Sequence, residues 1–180
     1  MWRLTAHYVR INRDNHELFA FSGYVFSMKS EYELFGADIA VGNNFQASVA
    51  ANGELVLTEG CDCAVQMVAL HLFVLLGSLF YDVTFGSLLV HWIREESTRA
   101  TREGLCVEVE TRVNTDPHVI PGTAVCRVLA WDHTGVDLDL VFTLIGEAHP
   151  DHLVVRLAEN DGQLVPEIVS HAHPRDDSRP

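Results

Sequence analysis

The stretch LVLTEGCDCAVQMVALHLFVLLGSLF, residues 55–80, decides how the rest of the chain is interpreted. It begins like a β-strand, passes through a Gly-Cys-Asp-Cys segment, and continues as an almost unbroken apolar run. Gln66, His71 and Gly77 interrupt that run, which falls short of the roughly 20 mostly apolar residues of a membrane span. The pattern therefore predicts a buried helix over roughly residues 61–81, apolar nearly all round, and no membrane segment.

Composition places the 180 residues among globular proteins of one domain. Apolar residues make up 48% and charged residues 21%, which argues against disorder. The 12 basic and 25 acidic residues give a net charge of −13, so nucleic acid is not an expected partner. The opening MWRLTAHYVRINRDN has no signal-peptide pattern, and the four cysteines form no disulfide framework. We expect a cytoplasmic protein without a cofactor.

Two-residue alternation predicts β-strands on both sides of the helix. Two hairpins are expected before it, with turns at Arg13-Asp14-Asn15 and Asn52-Gly53. Four strands are expected after it, over residues 87–99, 105–114, 122–132 and 136–147. A last hairpin is expected to turn at Asp161-Gly162. The single domain would then cover residues 1–170, as N-terminal hairpins 1–53, a core 54–147 and a C-terminal hairpin 148–170, followed by a flexible tail 171–180.

One long helix followed by an antiparallel meander predicts an α+β fold. A curved antiparallel sheet wrapped around a long central helix is the hot-dog architecture, whose subunits usually pair with their sites at the interface. We therefore expect a symmetric homodimer, because unpaired sheet edges are normally covered. The clean apolar face of GLCVEVETRV, residues 104–113, favours it as the joining surface, and the polar residues 93–102 suit a solvated edge.

The first turn of the helix is the candidate catalytic centre. A helix N-terminus offers unpaired N–H groups and a partial positive charge, which here would bind a thioester carbonyl. Gly60 would let the carbonyl approach the backbone, and a neighbouring acid would assist a water. The predicted catalytic residues are Glu59, Gly60, Cys61 and Asp62, with Cys63 and Gln66 contacting substrate. Simple helix capping, with buried small cysteines, is the alternative.

The segment IREESTRATR, residues 93–102, is the candidate carrier-binding strand. Arginine suits phosphate, so Arg94 and Arg99, with Arg102, would meet the phosphates of a coenzyme A or phosphopantetheine arm. Ser97 and Thr98 would orient water or substrate. The alternative is a solvated edge strand whose charges prevent aggregation.

The remaining histidines and thiols are not interpreted as a metal site. His71 lies inside the helix and is expected to be a hydrogen-bonded core histidine. His149 and His171 lie in polar loop or tail sequence and are interpreted as solvated. The Cys-x-Cys pair lacks the second ligand pair of a zinc site, so no metal is expected.

Three stretches resemble the actinobacterial fatty acyl-CoA type III thioesterases, a hot-dog family. TEGCDCAVQ resembles the loop that enters the central helix, IREESTR the strand after it, and VCRVLAWDHTG a later strand and turn, over roughly residues 54–147. The resemblance implies an enzyme that hydrolyses an acyl-CoA or acyl-carrier-protein thioester.

One departure from that family is at the predicted catalytic turn. The family has a functional histidine and an asparagine where this chain has Cys61 and Cys63. Three functions stay open: hydrolysis, a dehydration, isomerisation or amine addition on an α,β-unsaturated acyl thioester, and acyl binding without catalysis.

Overall fold

The computed structural model describes residues 18–21, 24–27, 34–160 and 163–172. Within them the elements follow in the order β1 Leu18–Phe21, β2 Tyr24–Ser27, β3 Ala37–Ile39, β4 Leu57–Glu59, α1 Gly60–Phe73, α2 Leu89–Trp92, α3 Arg99–Thr115, β5 Val125–Asp132, β6 Gly135–Phe142, β7 Asp151–Asn160 and β8 Gln163–Ala172. The predicted α+β class is confirmed.

The larger sheet is a four-stranded antiparallel meander in the order β5-β6-β7-β8. Alternating side chains of β6 are fully buried, among them Val136, Leu138 and Leu140, because successive strand residues point to opposite faces. The strands predicted over 122–132 and 136–147 are confirmed in type, but β5 begins at Val125 and β6 ends at Phe142.

The C-terminal hairpin is also confirmed, since β7 pairs with β8 as far as Asn160 and Gln163. Its two turn residues lie outside the described part of the chain. His171 and Ala172, assigned by the sequence to a flexible tail, are instead the last two residues of β8.

Helix α1 is buried as predicted but shorter. Its core-facing residues are almost inaccessible to solvent: Ala64, Val65, Val68, Ala69 and Leu72. The predicted extension to residue 81 is wrong, because Val74 leaves the helix in an extended conformation after its N–H bonds to the carbonyl of Leu70. In the part of the chain that the structure describes, no helix is long and apolar enough to cross a membrane.

The strands predicted over 87–99 and 105–114 are wrong, because this region forms α2, a connecting loop and the 17-residue helix α3. Leu105, Val109 and Val113 are buried, whereas Val107 is 61% exposed. These three buried residues are four positions apart, and that spacing puts them on one face of either a strand or a helix. The structure shows that they lie on one face of a helix. Residues 93–102 and 104–113 are therefore neither an edge strand nor a strand at a dimer seam.

Helix α3 covers the outer edge of β5. The carboxylate of Glu110 accepts the backbone N–H of Cys126 at 2.9 Å, and the amide oxygen of Asn114 accepts the N–H of Gly122 at 2.7 Å. On the opposite edge of the sheet, the N–H of Ile168 donates to the carbonyl of Asn43 at 3.0 Å. Both edge strands of the meander thus meet other parts of the same chain.

A small β-layer, residues 37–59, packs against α1. Strand β3 pairs with β4, and the predicted Asn52-Gly53 turn is confirmed by a Gly53 φ of 86° and a bond from its N–H to the carbonyl of Ala50. The hairpin predicted around Arg13-Asp14-Asn15 lies outside the described residues.

Candidate active site

The first turn of α1 begins at a sharp strand-to-helix junction. Glu59 ends β4 in an extended conformation and makes no side-chain bond to the helix, and Gly60 follows with a φ of 62° that favours glycine. The N–H of Gly60 donates to the carbonyl of Gly36 at 3.2 Å. That donor is thus engaged within the protein, which counts against its predicted role in binding a substrate carbonyl.

Two cysteines of this turn are buried. The Cys61 thiol donates to the carboxylate of Glu147 at 3.6 Å, a contact between α1 and the β6–β7 loop that the sequence analysis missed. Cys63 is 3% exposed, and burial followed by the nearby charge of Asp38 raises the pKa of its thiol. A buried protonated thiol is a poor nucleophile, so Cys63 fits packing better than substrate contact.

A histidine from β8 completes this end of the molecule. His171 Nε2 lies 3.4 Å from Oδ1 of Asp151, the first residue of β7, whose side chain is fully buried. His171 Nδ1 lies 3.8 Å from Oδ1 of Asp62, whose side chain is 76% exposed. One imidazole therefore stands between a buried and an exposed carboxylate, and three elements supply the row Asp151–His171–Asp62.

This row has the geometry of an oriented general base. A buried carboxylate needs a charged or hydrogen-bonded partner, and it fixes which imidazole nitrogen carries the proton. The separation between His171 and Asp62 exceeds hydrogen-bond length, so a water molecule can bridge the two groups. The nearby N-terminus of α1 favours negative charge.

The sequence analysis missed His171 and Asp151 as site residues. In the strand, His171 is paired with the buried Leu153, so its side chain points toward the same face of the sheet. Continuing the strand alternation through residue 172, instead of ending it at 170, would have placed this histidine in β8.

Gln66, predicted to contact substrate, instead joins α1 to the β-layer. Its Oε1 accepts the N–H of Val41 at 2.9 Å, and its Nε2 donates to the carbonyl of Ile39 at 2.9 Å. Gln66 is 7% exposed, so both ends of its amide are engaged in a buried structural role.

The residues predicted to bind the carrier lie at the other end of the sheet. Arg94 and Ser97 line a cavity of about 370 Å³ with Trp131 and Asp132, beside the β5–β6 turn. Eight-residue β6 separates that turn from Asp151 by about 24 Å, at roughly 3.4 Å per residue. Within one chain the two predicted sets of residues are not brought together.

Two other members of that set have local roles. Thr98 caps α3, with its hydroxyl accepting the N–H of Thr101 at 3.2 Å. Arg99 pairs with Glu103 at 2.8 Å on the exposed surface of the same helix.

A second buried cluster ties α1 to the end of α3. Asp116, 4% exposed, accepts the N–H of His118 at 2.9 Å and lies 3.5 Å from Nδ1 of His71. Burial alone would raise the pKa of Asp116, but the contacts with His71 and His118 outweigh it and lower the pKa. His71 is 7% exposed and stacks on Phe85 at 4.5 Å between ring centroids, which confirms that it is a core histidine. The predicted hydrogen bond is not confirmed, because among the described residues neither ring nitrogen has a partner within hydrogen-bond geometry.

A scan against models of known protein families found no match, and a search of curated proteins found none either.

Proposed function

We propose that the protein hydrolyses acyl thioesters at the N-terminus of α1, with His171 as the general base. The observation that carries the proposal is the row Asp151–His171–Asp62, with separations of 3.4 and 3.8 Å. The resembling family has its histidine at the position of Cys61. His171 would supply the missing imidazole from β8 to the same helix terminus.

The three side chains suggest a division of labour. Asp151 would accept a hydrogen bond from the Nε2–H of His171. The other ring nitrogen, Nδ1, would then carry no proton and would be the acceptor that faces Asp62. A water held between Nδ1 and the carboxylate of Asp62 would lose its proton to Nδ1 as its oxygen attacks the thioester carbon. The N-terminus of α1 would stabilise the resulting oxyanion. The intermediate would then expel the thiolate, which takes the proton back from His171.

The proposal extends to substrate, fold and assembly as the resemblance implies them. The substrate would be an acyl-CoA or acyl-carrier-protein thioester, processed without a cofactor. The domain would be a divergent hot-dog, with α1 as its central helix against the buried face of the meander. Helix α3 stands where the resembling family has a strand, so the divergence is large.

A second candidate is acyl binding without hydrolysis, or a dehydration, isomerisation or amine addition at the same carbonyl. The bond from the Gly60 N–H to the Gly36 carbonyl favours binding without hydrolysis, because it engages one of the expected oxyanion donors. All these candidates share the site and differ in whether a thiol is released.

The test is thiol release from a panel of acyl-CoA and acyl-carrier-protein thioesters, with product masses measured in parallel. We expect His171→Ala to lower kcat by a factor of about 100 or more, the usual contribution of a general base, and added imidazole to restore part of the rate. His152→Ala is the matched control, since His152 is an exposed neighbour on β7.

Thiol release that is unchanged in His171→Ala would remove the assigned base. A mass shift of the acyl group without thiol release would favour the second candidate. Thermal unfolding of each variant separates a lost base from a lost fold.

A further inference from the structure

A cavity of about 370 Å³ lies at the end of the sheet remote from His171. The loop after α2 contributes Ile93, Arg94 and Glu95 to its lining, and the β5–β6 turn contributes Trp131 and Asp132. Its volume falls in the range of small-molecule sites.

The charges of the lining exclude a simple anion as the best ligand. Arg94 contributes +1, while Glu95 and Asp132 contribute −2, so these three groups sum to −1. Among the described residues Arg94 forms no ion pair, in contrast to Arg99, which pairs with Glu103. Arg94, Glu95 and Asp132 are all exposed, so a ligand with a charge of each sign can contact the guanidinium and a carboxylate at the same time.

Asp132 is a fixed negative charge on one wall. The backbone N–H of Thr134 donates to its Oδ1 at 2.7 Å, and the Thr134 hydroxyl donates to the same oxygen. The side-chain bond and then the backbone bond from Thr134 lower the pKa of Asp132, so the carboxylate stays ionised.

Apolar surface separates the charged groups. Ile93 is half-buried, and Trp131, also among the residues of the lining, is 9% exposed and packs in the core beside Val136. An indole can contact a short carbon skeleton and also favours a neighbouring cation. The lining thus matches a molecule with one anionic end, one cationic end and a short apolar body.

We propose that this cavity binds a small zwitterion, an amino carboxylate whose carboxylate contacts Arg94 and whose ammonium contacts Asp132, with its carbon skeleton against Trp131. The coenzyme phosphates expected at Arg94 from the sequence suit the site less well, because Glu95 and Asp132 would repel them. This assignment does not depend on the reaction at His171.

Isothermal titration calorimetry with matched ligands tests the proposal on the full chain. The probes are leucine, 4-methylpentanoate, which lacks the amine, and 3-methylbutylamine, which lacks the carboxylate. We expect leucine, or a β- or γ-amino acid tested beside it, to bind at least about tenfold more tightly than either partial analogue. The α-, β- and γ-amino acids differ in the distance between their amine and their carboxylate. The one that binds most tightly therefore reports the distance between the two charged contacts.

Two substitutions assign the ends of the ligand. Arg94→Gln is expected to remove the advantage of the zwitterion over the amine, and Asp132→Asn its advantage over the acid. Arg99→Gln, five residues away and already paired with Glu103, is the control and should bind as the wild type does.

The proposal is overturned if no amino carboxylate binds saturably below roughly 10 mM, or if Arg94→Gln binds all three probes as the wild type does. Thiol-release assays on the same variants report separately on the proposed hydrolysis.

Discussion

At the scale of single residues, Asp116 is a buried charge stabilised by its neighbours. It is 4% exposed, and it receives bonds from His118 and lies beside His71. A carboxylate without such partners would be protonated at this depth, because burial disfavours the charged form. The contacts of Asp116 with both histidines therefore contribute to stability only while it is ionised.

The lowered pKa of Asp116 sets the direction of a pH effect. A pKa below that of the unfolded chain contributes stability above the unfolded value, about 3.9, and this contribution is lost as the pH falls through the folded value. We expect Asp116→Asn to cost about 1–3 kcal/mol of unfolding free energy at pH 7 and to flatten the acid limb of stability. Urea unfolding at pH 7, 4, 3 and 2 measures both effects, since the change is expected below the unfolded value.

Glu96→Gln, an exposed substitution in the loop before α3, is the control and should leave the stability at pH 7 nearly unchanged. Equal losses in Asp116→Asn at every pH would show that shape, and not charge, is what Asp116 contributes.

At the scale of elements, a side chain of helix α3 accepts a hydrogen bond from the edge of strand β5, where a further strand would otherwise accept it. The N–H of Cys126 points outward from the edge of the sheet and would be an unpaired donor without the carboxylate of Glu110 at 2.9 Å. An edge donor that is partly buried costs free energy when its acceptor is removed.

We expect Glu110→Ala to cost about 1–3 kcal/mol of unfolding free energy, because it leaves the Cys126 N–H unsatisfied beside α3. Glu103→Ala on the same helix removes only the exposed pair with Arg99 and should cost less than about 1 kcal/mol. Chemical denaturation of both variants gives the difference, and amide exchange at Cys126 locates it. Similar losses in the two variants would mean that Glu110 does not hold this edge.

Local sequence signals explain which elements were predicted correctly and which were not. The β5–β6 hairpin was predictable because its turn, Asp132 to Gly135, and its alternation are local signals. Helix α3 was not, because the buried positions Leu105, Val109 and Val113 fit a strand and a helix equally well. The capping residues Thr98 and Thr101 were the local signal that favoured the helix.

The candidate site was predicted in part, for a different physical reason. A helix N-terminus can be located from the sequence, and Asp62 was assigned to it correctly in position. His171 and Asp151 reach it only through the pairing of β7 with β8 and the packing of that hairpin on α1. Contacts between residues about 90 to 110 positions apart leave no periodic pattern in one sequence.

At the scale of the whole molecule, the structure removes the sheet edge on which the predicted dimer was based. The sequence analysis based a homodimer on an unpaired sheet edge, but α3 covers the β5 edge and Asn43 meets β8 at Ile168. Apolar side chains remain exposed elsewhere, including Leu129 at 58% on the meander and Phe80 at 93% between α1 and α2. Association through exposed apolar side chains is therefore a better basis for a dimer than continuation of the sheet.

The symmetric homodimer stays a prediction, and the net charge of −13 sets how it should respond to salt. Two such chains repel each other, and ions screen that repulsion over about 10 Å at 0.1 M, whereas apolar contacts are not weakened. Light scattering should therefore give twice 20.1 kDa at micromolar concentration, with the dimer tightening as NaCl rises from about 20 to 200 mM. KCl at equal ionic strength is the control, because screening does not depend on which cation is used. A mass of 20.1 kDa at every salt concentration, in a protein that retains full activity, would rule out a site shared between subunits.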